Sequence, residues 1–178
     1  MATDLAAVFC AYPAPVRERL LEARSLIFKT AADIEGVGPL TETLKWGEPA
    51  YLTEATGSGA TVRLGWFQSP ERECAVLFNC RTTLVDDFRS QFPDLFAYEK
   101  NRAILLDAGK PLPRGPLSTC LGMALTYHQR RLRPRLKGGL TPVFLADAPL
   151  MVRRLFVDAN ERGACGRRRA ATGAGRRV

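Results

Sequence analysis

The chain has 178 residues, 46% of them hydrophobic and 25% charged, with a formal net charge of +8; that is enough apolar material for one ordinary core and excludes wholesale disorder. No apolar run approaches the roughly 18 residues of a membrane span, and Met1 to Cys10 carries Asp4 without Lys or Arg, so neither a membrane segment nor a secretory leader is expected and a cytoplasmic setting is. Met1 to Gln129 holds 13 Lys and Arg against 15 Asp and Glu, whereas Arg130 to Lys137 adds five positive charges and Glu161 to Val178 carries six Arg against one Glu. The excess therefore belongs to a junction and a tail, and it says nothing about a basic binding face on the folded body.

Ala14 to Ala32 reads as the first long helix, with Pro15 in its first turn and Val16, Leu20, Ala23, Ile27 and Ala31 recurring at helical spacing. Gly36, Gly38 and Pro39 stop it. Thr41 to Trp46 and Ala50 to Thr53 are expected as strands separated by a Gly47-Glu48-Pro49 turn, and Thr61 to Phe67 follows the turn around Gly57 to Gly59. Glu73 to Asn79 is the most apolar strand and should be central, with Cys74, Val76, Phe78 and Cys80 on one face. Thr82 to Gln91 is expected to be helical, capped by Thr82 or Thr83 and ended by Pro93. Phe96 to Glu99 and Ala103 to Leu106 form two further strands around a turn at Lys100 and Asn101, in which Asn takes the left-handed position. Leu117 to Leu132 reads as one long helix whose inner stripe includes Cys120, Leu121, Leu125 and His128.

The order of elements lacks the repeated βαβ units of a parallel sheet, so the expected class is α+β, a mainly antiparallel twisted sheet with helices packed on one face. The organisation is a single domain over residues 1–137, a linker and accessory helix over 138–160, and a disordered Arg-rich tail over 161–178.

Few constellations suggest chemistry. His128 is the single histidine, and eight residues along one helix place it two turns from Cys120, too far for a nucleophile and base. The five cysteines contain no CxxC pair and read as reduced thiols, so no disulfide framework, metal site or cofactor is expected. The GSG of Gly57 to Gly59 lacks the lysine and the following helix of a phosphate loop. No nucleophile elbow occurs, and no catalytic residue is assigned. The distinctive stretch is Leu44 to Leu52 (LKWGEPAYL): with Arg63 and Trp66 on the next strand, Lys45, Trp46, Glu48 and Tyr51 form a candidate surface for a small molecule or a protein. The basic C-terminal segments lack stacking aromatics, which restricts them to weak, non-specific contact with nucleic acid.

From about Val8 to Arg131, the pieces IEGVGPLTE, KWGEPAYL, TVRLGWF, AVLFNCRTTLVDDFR with its FPD, FAYEKNRAILLD and LSTCLGMALTYHQRR follow in an order that resembles the YdhG-like family of small bacterial domains of unknown function. The resemblance implies the same α+β fold. Some relatives are described as frataxin-like iron chaperones, a role that would draw on Glu18, Glu22, Asp86 and Asp87, although Arg17, Arg19 and Arg24 interrupt the first-helix acids.

Overall fold

The computed structural model describes residues 3–67 and 74–132. The expected linker, accessory helix and tail beyond Pro134, together with Cys165, lie outside them. Within the described residues an α+β fold is built from helices α1 (Thr3–Ala11), α2 (Ala14–Asp33), α3 (Leu84–Gln91), α4 (Arg114–Leu125) and α5 (Tyr127–Leu132) and strands β1 (Thr41–Lys45), β2 (Glu48–Leu52), β3 (Val62–Trp66), β4 (Cys74–Leu77), β5 (Ala97–Glu99) and β6 (Ala103–Leu106). The strands form one sheet in the order β1-β2-β3-β4-β6-β5. Every neighbouring pair is antiparallel. No helix among the described residues is long and apolar enough to cross a membrane.

The core lies on one face of the sheet. In α2, Val16, Leu20, Ala23, Ile27 and Ala31 are buried as their spacing predicts, and they meet Val62 and Leu64 of β3, Cys74 and Val76 of β4 and Leu117, Leu121 and Leu125 of α4 in one cluster. Strand β4 is interior to the sheet and buried at all four positions, in agreement with its apolar sequence. Removing such a side chain, Leu121 for example, would cost about 2–5 kcal/mol. The opposite face carries a smaller cluster of Ala75, Leu77 and Ala103 with Phe67 and Leu105, to which no helical residue contributes.

Four expectations need correction. A further helix, α1, precedes the first one predicted; its Leu5 and Phe9, one helical turn apart, join the main core. Cys80 does not continue the face of Cys74, Val76 and Phe78, because the strand ends at Leu77 and Cys80 is an exposed turn residue. At the β5–β6 turn the left-handed residue is Lys100 (φ 49°), while Asn101 donates its side-chain amide to the Cys80 carbonyl at 3.2 Å.

The fourth correction concerns the last helix, which breaks at Thr126 into α4 and α5. The cause is tertiary. The β2–β3 connection docks against the break: Ala60 N–H donates to the Ala124 carbonyl (2.8 Å), and the His128 and Gln129 amides donate to the Ser58 carbonyl (2.9 and 3.1 Å). The Ser58 hydroxyl donates to the Leu125 carbonyl at 2.9 Å. Backbone groups freed by the interruption thus find partners in the loop, as buried polar groups must. His128 is turned out to solvent instead of lying on the inner stripe.

This docking requires Gly59. A Cβ there would lie 2.3 Å from the Leu125 carbonyl oxygen, a backbone atom that cannot swing aside. Gly59→Ala should therefore destabilise the protein by roughly 1–3 kcal/mol, read as a lower urea midpoint; an unchanged midpoint would mean that the loop does not dock as described.

Candidate functional site

The site begins with a turn. Lys45 pairs with Glu48, so β1 and β2 are joined by two residues, Trp46 (φ 53°) and Gly47 (φ 78°), both in the left-handed region. That is the signature of a type I′ hairpin, whose twist matches the strands it joins. Glu48 and Pro49, expected in the turn, belong instead to β2, opposite Lys45 and Leu44. The β2–β3 register begins only at Ala50↔Arg63; Pro49, with no N–H to donate, stands where that ladder ends.

Period-two alternation then sorts the six candidate residues. Lys45 and Glu48 face each other across the hairpin, Ala50 is on the face of Glu48, and Arg63 pairs with Ala50. Lys45, Glu48 and Arg63 therefore share the face away from the helices. Arg63 Nη1 donates to Glu48 Oε2 in a part-buried ion pair, and its guanidinium lies 4.6 Å from the centre of the Trp46 ring. Sequence reasoning missed Gly65. It lies on the same face, and a Cβ there would sit 3.1 Å from Glu48 Oε1 and 2.7 Å from Leu77 Cδ1, so its lack of a side chain gives the Glu48 carboxylate its room.

Trp46 remains 83% exposed. Left-handed backbone costs a non-glycine residue roughly 1–2 kcal/mol, and an exposed cation–π contact returns only about 0.5–1 kcal/mol. The turn is thus more costly with Trp than with Asn or Gly, and stability does not account for the indole. Beside it, Lys45 has no ion-pair partner among the described residues.

Tyr51 and Trp66 are oriented differently. Tyr51, three residues beyond Glu48, points to the helices and is fully buried, its ring edge-on to Phe28 at 5.7 Å. Arg24 holds both oxygens of the Glu42 carboxylate at 2.5 and 2.7 Å. The Tyr51 hydroxyl is left enclosed without a hydrogen bond of good geometry. Burial, then the neighbouring Glu42 charge, pushes its pKa well above the ordinary tyrosine value. Half-buried Trp66 meets Tyr12 edge-on at 6.0 Å; burial and the Glu48 charge raise the pKa of Tyr12 as well. The structure brings Lys45, Trp46, Glu48 and Arg63 together on one surface, with Tyr51 and Trp66 beneath the sheet.

The remaining candidates are dispersed. Cys120 is buried, and desolvation pushes its thiol up to about 12, while His128 is exposed beside the Tyr127 ring. Glu22 is held by Arg19 and by Arg114, the latter at 2.6 and 2.9 Å. Asp86 pairs with Arg89 at 3.1 Å, and Asp87 accepts from the Thr83 hydroxyl at 3.2 Å. Glu18 is exposed. Among the described residues no three His, Cys, Asp or Glu side chains converge as metal ligands would. The GSG turn turns its Ser58 carbonyl to the α5 amides, which leaves those amides no room for an anion.

No family model matches the chain, and no curated protein does. Among solved structures it is similar to that of a YdhG protein of the DUF1801 family from Bacillus subtilis, with 16% sequence identity, a TM-score of 0.49 and coverage of 75% of this chain and 96% of that one. The motifs between Val8 and Arg131 resemble the same family.

Fully buried Tyr51 and half-buried Tyr12 and Tyr98 carry a pH dependence. Tyr12, Tyr51 and Tyr98, the last pushed up to about 12 chiefly by burial, stay protonated in the native state after unfolded tyrosines, with pKa about 10, have ionised. The native state then binds more protons, so stability is fully present below about pH 10 and falls as pH rises above it. Urea midpoints measured from neutral to alkaline pH should show this fall, and Tyr51→Phe should make it shallower; an identical slope in the variant would exclude Tyr51 as a source.

Proposed function

We propose that the tip of the β1–β2 hairpin is a binding surface of a non-catalytic module, on which Lys45, Trp46, Glu48 and Arg63 engage a small molecule or a protein partner. One observation carries the proposal: a tryptophan 83% exposed in a left-handed turn position that its own stability does not favour. Strain retained at an exposed aromatic is a reason to look for a function there, and Trp and Arg are the side chains on which binding energy most often concentrates. The Glu48–Arg63 pair fixes the guanidinium against one face of the indole, which limits the ordering cost of binding on the other. Tyr51 and Trp66 support the strands from beneath. A cytoplasmic setting suits the exposed thiols of Cys10 and Cys80.

The competing roles have less support. For iron, Glu22 and Asp86 are engaged by arginines. For nucleic acid, the first two cations of the basic junction serve the fold: Arg130 donates to the Met123 carbonyl at 2.7 Å, and Arg131 lies over the Tyr127 ring.

The chain has two tryptophans, so Trp66→Phe leaves Trp46 as the single indole reporter. Screening metabolites and short peptides against this variant should yield compounds that alter Trp46 emission and raise the melting temperature. In the wild-type background, Trp46→Asn, which accepts left-handed backbone, should hold or raise thermal stability by up to about 1 kcal/mol while losing the ligand shift. Ligand shifts that survive intact in Trp46→Asn would overturn the proposal.

A further inference from the structure

Two large hydrophobic side chains stand out as exposed among the described residues, Trp46 at 83% and Leu95 at 49%. Leu95 lines an open groove of about 530 Å³ with Phe96, Leu105, Pro111 and Pro113, beside the Asp107–Lys110 ion pair, so the groove is of mixed polar and apolar character. Each exposed residue directly follows a charge without an ion pair among the described residues, Lys45 before Trp46 and Asp94 before Leu95. The signs are opposite.

Knob and groove cannot meet within one molecule. The hairpin belongs to edge strand β1 and the groove to edge strand β5, five strand spacings or about 24 Å apart. They do lie at the same end of the sheet. Glu48 sits beside Arg63 and Gly65 near the end of β3, and the pairs Trp66↔Cys74, Cys74↔Leu106 and Ala97↔Leu105 carry that end across to the start of β5. A two-fold axis placed off that end can therefore bring each knob to the other molecule's groove, giving two identical contacts and closing the assembly.

We infer that the partner of the hairpin tip is a second copy of this chain, with Trp46 seated in the Leu95 groove and Lys45 facing Asp94 in a reciprocal dimer. The inference rests on the proposed role of the hairpin tip and names its partner. Two aromatic insertions of roughly 150–250 Å² each fall well short of the 1,200–2,000 Å² typical of a stable interface, so the dimer is a weak one.

Sedimentation equilibrium of the full chain tests this. Dimerisation is expected with a dissociation constant of about 1–100 µM. Lys45→Glu and Asp94→Lys should each weaken it about tenfold or more through like-charge contacts, and the double variant should regain most of the loss. Neither side chain holds an ion pair among the described residues; because Lys45→Glu sets a like charge opposite Glu48, circular dichroism and the melting temperature of each variant are compared with the wild type before its dimerisation is read. Trp46→Asn should be monomeric. A wild-type chain that stays monomeric to about 1 mM, a dimer indifferent to Trp46→Asn, or a double variant no better than the single ones would each overturn the inference. If the wild type is monomeric yet small ligands still shift its melting temperature in a Trp46-dependent way, the dimer alone fails and the binding surface stands.

Discussion

The arrangement at the edge of the sheet depends on a two-residue turn. Because Trp46 and Gly47 alone join β1 to β2, Glu48 enters the strand, and every later residue of β2 takes the face that this register dictates. A longer turn would move Glu48 out of the ladder and leave Arg63 without its carboxylate. The pair Glu48–Arg63, the stack of Arg63 on Trp46 and the burial of Tyr51 under the sheet all follow from one register. Pro49 reinforces it by ending the hydrogen-bonded ladder between β2 and β3 where the hairpin tip begins.

The two faces of the sheet divide the work. On the helix face, large side chains from α1, α2 and α4 meet the strands in one core, and the polar groups enclosed there are mostly paired, Arg24 with Glu42 and Thr30 with Ser118 at 3.0 Å. On the other face the residues near the tip are small or charged, and Gly65 leaves space that Glu48 occupies. The loop between β2 and β3 ties the two layers together by lending its Ser58 carbonyl to the first amides of α5. Hairpin and helix break are therefore linked through a single strand, β2.

Much of the fold is legible in the residue pattern, since α2, α3 and the strands announce themselves by apolar spacing and by turn residues. The break in the last helix has its source in contacts distant along the chain. Periodicity continues without a fault through Thr126, because the loop that interrupts the helix there comes from Ser58, far outside any local window. The Gly47-Glu48-Pro49 turn followed from the usual habits of Gly and Pro, and nothing local advertises a tryptophan with positive φ. Part of the site's geometry was nonetheless available from parity. Trp66 is three residues from Arg63 within one predicted strand, an odd separation that puts them on opposite faces, whereas the parity of Glu48 and Tyr51 becomes readable only once the structure places Glu48 in β2. Gly65 had no legible signal, because its importance lies in a carboxylate delivered from the neighbouring strand.

The central claim is that the hairpin register holds the Arg63 guanidinium against an indole that remains open to solvent. The most direct measurement is the proton NMR spectrum of the Arg63 side chain in the wild type and in Trp46→Asn. Stacking at 4.6 Å from the ring centre places its δ and ε protons in the shielding region of the indole, so they should resonate upfield in the wild type and return to ordinary arginine positions in the variant. Arg63 signals at ordinary positions in both proteins would contradict the account.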